Sequence, residues 1–316
     1  MIFTTTLSQM LVLFFLISLG YMLAKLKLVP QNAETVLSKL ENYLFMPALV
    51  MGTFMTNFTV DLLEEARDIL LISLAIAIVF IALSLVFSRL CSKDRYVRNI
   101  FLYGLCFSNF AFLGNAVVSA IFPEMFTSYT IFTLVLWAAI YAWGVPVLLM
   151  SGDDENARSF KATLLRFANP MFIGMAIGMI IGLVEIPIPS QISGLINSLG
   201  ACMSPIAMLL TGMTIARQKI TDVLKFKNVY VLSFIRLILY PVLFIVFVYF
   251  VPMNEVFATC AVCSLAMPLG LNTIVIPASY GKDTKVASGM AIISHIMSLI
   301  TIPLIFALFN WVISIR

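Results

Sequence analysis

Charge is scarce in this chain: 15 acidic residues, 19 basic residues and one histidine among 316 residues, 11% charged in all. A soluble globular domain carries about 25%, so a water-surrounded fold is excluded. No G-x-x-x-x-G-K-[ST] loop occurs, and no connector is long enough for a nucleotide-binding, kinase or nucleic-acid-binding domain. ATP-driven transport within this chain and a nucleic-acid partner are therefore excluded. Segments of about ten alternating residues, the mark of a membrane β-barrel, are also missing. The five cysteines (Cys91, Cys106, Cys202, Cys260 and Cys263) lie nearly all in apolar segments. They read as free thiols rather than a disulfide framework. Cys260-x-x-Cys263 has no second Cys/His pair nearby and reads as helix packing, so no metal and no cofactor is expected. There is no G-x-S-x-G, no H-E-x-x-H and no intramembrane aspartate pair. An intramembrane enzyme would have to rest on His295 with Ser298 or Ser108, and the chain is expected not to be an enzyme. A receptor would need an output domain, and none is visible.

Apolar residues are abundant, at 62%, and mean hydropathy is +1.07. In lipid, a helix satisfies its own backbone, and a span needs about 20 mainly apolar residues. Ten runs meet this: 7–24, 37–57, 69–90, 98–121, 127–150, 168–185, 192–215, 229–251, 256–279 and 286–313. The first run lacks a basic leader and a small-residue cleavage site, so it is expected to be a retained helix. Sixteen of the nineteen Lys and Arg fall in or beside the odd-numbered connectors, while the even ones hold Asp61, Glu64, Glu65, Asp68, Glu124, Glu185 and Glu255. The odd connectors are therefore expected to be cytoplasmic. This makes a multi-pass protein of the cytoplasmic (inner) cell membrane with both termini outside.

Landmarks recur at one offset. Gly20 and Gly178, and Pro47 and Pro205, are 158 apart; Cys106 and Cys263, Asn115 and Asn272, and Pro146 and Pro303 are 157 apart. The reading is a five-helix repeat at 1–151, a cytoplasmic linker at 152–166 and a second repeat at 167–316. Five is odd, so the second repeat is inverted, as in many secondary transporters. The fold class is an all-α membrane protein of ten transmembrane helices.

Such carriers hold substrate near the midplane, where helices are interrupted. The fourth run reads Cys106-Phe-Ser108-Asn109-Phe-Ala-Phe-Leu-Gly114-Asn115, and the ninth reads Ala266-Met-Pro268-Leu-Gly270-Leu-Asn272. Both tracts lie about 20 Å into their runs at 1.5 Å per residue. Pro268 removes a backbone donor, Gly114 and Gly270 permit close approach, and Asn109, Asn115 and Asn272 carry donors and acceptors. If both helices break, two half-helix N-termini face one centre, which suits an anion. Their C-terminal ends could instead hold a cation.

These tracts, with Phe45-Met46-Pro47-Ala48-Leu49 in the second run and the five-plus-five layout, resemble the auxin efflux carrier family, which includes the plant auxin carriers and bacterial carriers of malate and malonate. The resemblance covers nearly the whole chain, whose compact layout is of the bacterial type. It implies a scaffold (spans one, two, six and seven) and a transport unit (three to five and eight to ten), with spans four and nine crossing at broken points. It places Asn109 and Gly114 at one crossover tract, and Pro268 and Gly270 at the other. Ser108 stands where plant members have proline, which implies a less sharply broken fourth helix.

Four further polar residues lie within the runs. Arg236 can meet a substrate carboxylate or snorkel to the cytoplasmic side. His295 can relay a proton or pack as a neutral ring. Glu41 can couple a proton or sit at the interface, and Ser108 can touch substrate. No Asp or Glu lies clearly at mid-membrane. The expected function is transport of a small organic anion such as malate, malonate or an auxin-like acid, alone or coupled to H⁺ or Na⁺. The lipid bilayer is the surrounding partner and a homodimer is admissible. The alternative is a sodium-coupled carrier of the bile-acid type.

Overall fold

The structure, a computed structural model, describes residues 2–30, 32–149, 170–217, 226–279 and 282–315. The expected linker at 152–166 lies outside them. Every element among the described residues is helical. In chain order these are α1 (Ile2–Lys25), α2 (Ala33–Leu40), α3 (Met46–Asn57), α4 (Val60–Cys91), α5 (Arg95–Cys106), α6 (Asn115–Ile121) and α7 (Phe126–Ala139). There follow α8 (Pro170–Val184), α9 (Ser190–Ala201), α10 (Met203–Ala216), α11 (Lys227–Phe234), α12 (Tyr240–Phe250), α13 (Glu255–Leu265), α14 (Asn272–Ser279) and α15 (Lys285–Ser314). Among the described residues five stretches are each long and apolar enough to cross a bilayer: Glu65–Cys91, Pro123–Leu149, Ser190–Ala216, Lys227–Phe250 and Lys285–Ser314. The other apolar runs hold shorter or interrupted helices. Leu71, Leu74, Ile78, Val79 and Val86 on α4, and Ile296, Ile300 and Leu304 on α15, point outward. Such a belt belongs in lipid rather than in water.

Two helices widen into π turns in the same way. Glu41–Phe45 ends two residues before Pro47, and Ile235–Leu239 ends two residues before Pro241. Proline has no N–H for the i→i−4 bond and its ring crowds that carbonyl. The preceding turn opens, and the next amide reaches back five residues, Met46 to Glu41 and Tyr240 to Ile235. The wide turn re-aims the side chains it carries, among them Glu41 and Arg236.

Local geometry recurs at the sequence offset. α1 and α8 both end in a left-handed residue, Lys27 and Glu185, each with φ of 55°. Both close with a six-to-one bond, Leu28 N–H to Leu23 O (3.0 Å) and Ile186 N–H to Ile181 O (3.1 Å), the Schellman arrangement. Gly20 on α1 meets the backbone of Leu209 on α10, and Gly178 on α8 meets the backbone of Met51 on α3. All three pairs (27 and 185, 20 and 178, 51 and 209) are 158 apart. A Cβ at Gly178 would lie 2.5 Å from Met51 O. Close backbone approach through small residues is how membrane helices gain packing without a hydrophobic drive. Here it joins α1 to α10 and α3 to α8.

Candidate functional site

Two helices stop inside the molecule, and the gaps meet. α5 begins at the Asp94 cap, whose Oδ1 accepts from Val97 N–H (2.8 Å). It ends at Cys106, after which Phe107 is extended (φ −118°, ψ 100°). α13 begins at the Asn254 cap, whose Oδ1 accepts from Val256 N–H (2.8 Å), and ends at Leu265. Helix resumes at Phe110–Gly114, a π turn leading into α6, and at α14. Across the gaps Ser108 pairs antiparallel with Leu269, and Asn109 N–H donates to Pro268 O (2.7 Å).

The fourth run is therefore broken outright, against the gentler break that Ser108 implied. No proline is needed, because the freed backbone finds partners on the other chain segment. Ser108 Oγ itself donates to Ser264 O (2.9 Å), one of the carbonyls left open at the end of α13. Gly270 lies at the closest point. A Cβ there would come 2.9 Å from Phe107 O and 3.2 Å from Ser108 O, both backbone.

His295 on α15 holds the crossing from behind. Its Nδ1 lies 2.7 Å from Ala291 O, and a carbonyl only accepts, so Nδ1 carries the proton. Nε2 is then the acceptor for Asn109 Nδ2 (3.0 Å). The ring is neutral, buried and committed on both sides. Ser294 Oγ accepts from Leu269 N–H (3.2 Å), a second tie from α15. By sequence His295 fits a relay or a packing residue; its pairing with Asn109 spans 186 positions and leaves no local signal.

A narrow cleft opens at the crossing, walled by Ser108, Asn109, Phe110, Gly270 and Asn272 together with Tyr103 and Trp137. Among the described residues no carboxylate lines it. Asn272 Nδ2 donates to Tyr103 Oη (3.3 Å), which leaves the phenol proton to face another acceptor. The starts of both second half-helices border the cleft, and each brings about half a positive charge. The free interior is about 10 Å³, room for about one water, so this conformation is shut. Beyond Trp137 lies a vestibule of about 230 Å³ walled by Asn42, Tyr43, Met46, Trp137, Tyr141, Pro170 and Met171. Trp137 stacks on Tyr141 (centroids 5.6 Å apart, 16° between planes) and borders both spaces. Tyr103 and Trp137 carried no sequence signal, being two aromatics among many in apolar runs.

The remaining candidates lie elsewhere. Asn115 is buried at the first residue of α6 and Gly114 packs under the Tyr129 hydroxyl; neither walls the cleft. Pro268 takes part through its carbonyl. Glu41 is fully buried on its π turn, and neither carboxyl oxygen has a hydrogen-bond partner among the described residues. Arg236 is 2% exposed and does not snorkel. Nη1 donates to Leu105 O (2.9 Å), Nη2 to Ser264 O (2.9 Å), and Nε makes a longer 3.4 Å contact to Met267 O. Leu105 and Ser264 are the penultimate residues of α5 and α13. Each charge-assisted bond contributes about 1.5–3 kcal/mol, so the two short ones together offset the roughly 2.5–3.5 kcal/mol that a mid-membrane arginine costs.

Compared with known families, residues 5–306 match the family described as membrane transport protein. No curated protein matches the chain.

Proposed function

The chain belongs to the membrane transport protein family, the auxin efflux carriers, and we propose that it carries a small organic anion through the crossover by alternating access. It is a multi-pass membrane transporter; the substrate, the route and the coupling are our reading. The observation that carries the reading is the cleft between the two broken helices. Its walls offer the Asn109 and Asn272 amides, the Tyr103 phenol and two half-helix N-terminal ends, with no carboxylate among the described residues to repel an anion. A carboxylate there gains donors in a water-poor site, where hydrogen bonds are strong. The Asn109 amide is held by His295, so its carbonyl oxygen is turned to a fixed side rather than free to flip.

The cycle follows from the two spaces. Substrate enters the vestibule from the side of the basic connectors, which we read as the cytoplasm. Swinging Trp137 off Tyr141 joins vestibule to cleft. Recurrence of caps and glycine contacts at offset 158 supports a ten-span inverted repeat, in which α1, α3, α8, α9 and α10 form the fixed body. The crossing helices, with α4, α7, α11, α12 and α15, then move against it and present the cleft to either face.

The first test is thermal stabilisation of purified protein by malate, malonate, succinate, pyruvate and indole-3-acetate. A ligand that binds only the folded state at 100 times its Kd adds about 2.7 kcal/mol. One or more carboxylates is expected to raise Tm in the wild type and not in Asn272→Ala. No shift with any of them would remove the anion reading and leave the family and fold in place.

A further inference from the structure

Interrupted helices have two kinds of end at their centre. The N-terminal ends favour anions and the C-terminal ends favour cations. In sodium-coupled carriers, half-helix C-termini and unwound carbonyls hold the ion. Here the C-terminal ends of α5 and α13 meet at Arg236. Its guanidinium binds Leu105 O and Ser264 O and reaches Met267 O in the unwound stretch. Arginine stays protonated in proteins, so the cation is permanent. Among the described residues no carboxylate pairs with it. Its other described neighbours are uncharged: the Tyr240 ring lies 5.9 Å away, and Tyr240 Oη is held by Ser84 Oγ at 2.9 Å. A substrate carboxylate in the cleft would sit at the opposite ends of the break, since Arg236 does not wall that space.

We propose that Arg236 is a built-in counter-cation that occupies, between the C-terminal ends of α5 and α13, the place a coupling sodium ion would take, so that substrate binding at the crossover needs no sodium. The proposal deepens the transport reading and rests on it. Arg236 is a positioning residue: it holds two like dipole ends together, and through them sets the geometry of Ser108 and of the cleft. The same residue sits on a π turn made by Pro241, which ties the charge to a feature of the eighth run rather than to the crossing helices themselves.

The test exchanges ions and charges. Purified wild type, Arg236→Lys and Arg236→Ala are melted in N-methylglucamine, Na⁺ or millimolar guanidinium. A small space bounded by Ser73, Phe80 and Phe132 lies against the guanidinium, and removing the side chain enlarges it. Wild-type Tm, and its shift with malonate, are expected to be the same in Na⁺ and N-methylglucamine. Arg236→Ala is expected to lose several degrees and to recover part of them with guanidinium or Na⁺. Phe244→Ala, an apolar truncation of a buried α12 residue, is expected to recover nothing. Arg236→Lys keeps a cation and is expected to fold if the alanine variant does not, with Tm between wild type and alanine and no sodium dependence. A sodium-dependent malonate shift in the wild type would overturn the proposal. So would an Arg236→Ala protein as stable as wild type, or one whose loss no cation restores. If malonate and the other acids give no shift at all, the anion reading fails, while the ion dependence of Tm still decides the role of Arg236.

Discussion

Gly270 has room for a hydrogen and nothing larger. Its would-be Cβ meets carbonyl oxygens of Phe107 and Ser108, which are fixed by the bridge and cannot rotate away as a side chain tip would. Overpacking of this kind costs about 1–3 kcal/mol. Gly270→Ala is therefore expected to lower Tm and to abolish any malonate-induced shift, because the clash lies in the cleft wall. Gly194, on an exposed face of α9, has no heavy atom within 4 Å of where a Cβ would stand. Gly194→Ala is expected to leave the malonate shift intact and to gain about 0.5–1 kcal/mol of helix stability. Equal Tm loss in both would mean that the effect at Gly270 is not specific to the crossing. At this scale the sequence was partly legible. Glycine, proline and asparagine in two matched tracts marked where the chain breaks. It could not show which asparagine is held by His295, 186 positions away, or that Arg236 faces carbonyls and not substrate, because those carbonyls lie 28, 31 and 131 positions away.

At the scale of helices, the π turns were invisible in the apolar pattern, yet they decide where two polar residues go. Pro241 sits in a run that would otherwise be helical throughout. Proline in a helix interior costs about 3 kcal/mol relative to alanine, so Pro241→Ala would ordinarily stabilise. Here the turn Ile235–Leu239 would relax to α geometry and rotate everything before it by about 100° per residue gained. Arg236 would then swing off Leu105 O and Ser264 O. Pro241→Ala is expected to lower Tm and to acquire the cation response of Arg236→Ala. A more stable variant with no cation response would reduce the π turn to local strain with no positioning role. The breaks in spans four and nine were readable from composition, but the clean break at Ser108 was not. It depends on partners supplied by the opposite segment, which no local rule includes.

The whole molecule rests on the difference between contacts that hold and contacts that slide. Backbone-to-backbone packing at Gly20 and Gly178 leaves no side chains to re-pack, so α1 with α10 and α3 with α8 behave as rigid pairs. Across the vestibule the meeting is looser: Asn42 and Tyr43 are exposed and face Trp137 and Tyr141 over open space. If alternating access moves span five against span two, a bifunctional thiol reagent bridging Asn42→Cys and Tyr141→Cys should stop malonate uptake into liposomes while leaving protein folded. The matching control joins Thr53→Cys to Asn197→Cys. Both residues wall a groove between α3 and α9, inside the body that is proposed to stay fixed, so uptake there should persist. Cys202 is exposed and Cys91 half-exposed, so both are replaced by serine beforehand. Persistent uptake with the first pair joined would show that spans two and five do not separate during the cycle. Arrest with the second pair would show that α3 and α9 are not one body, and the division into a fixed and a moving unit would have to be drawn elsewhere.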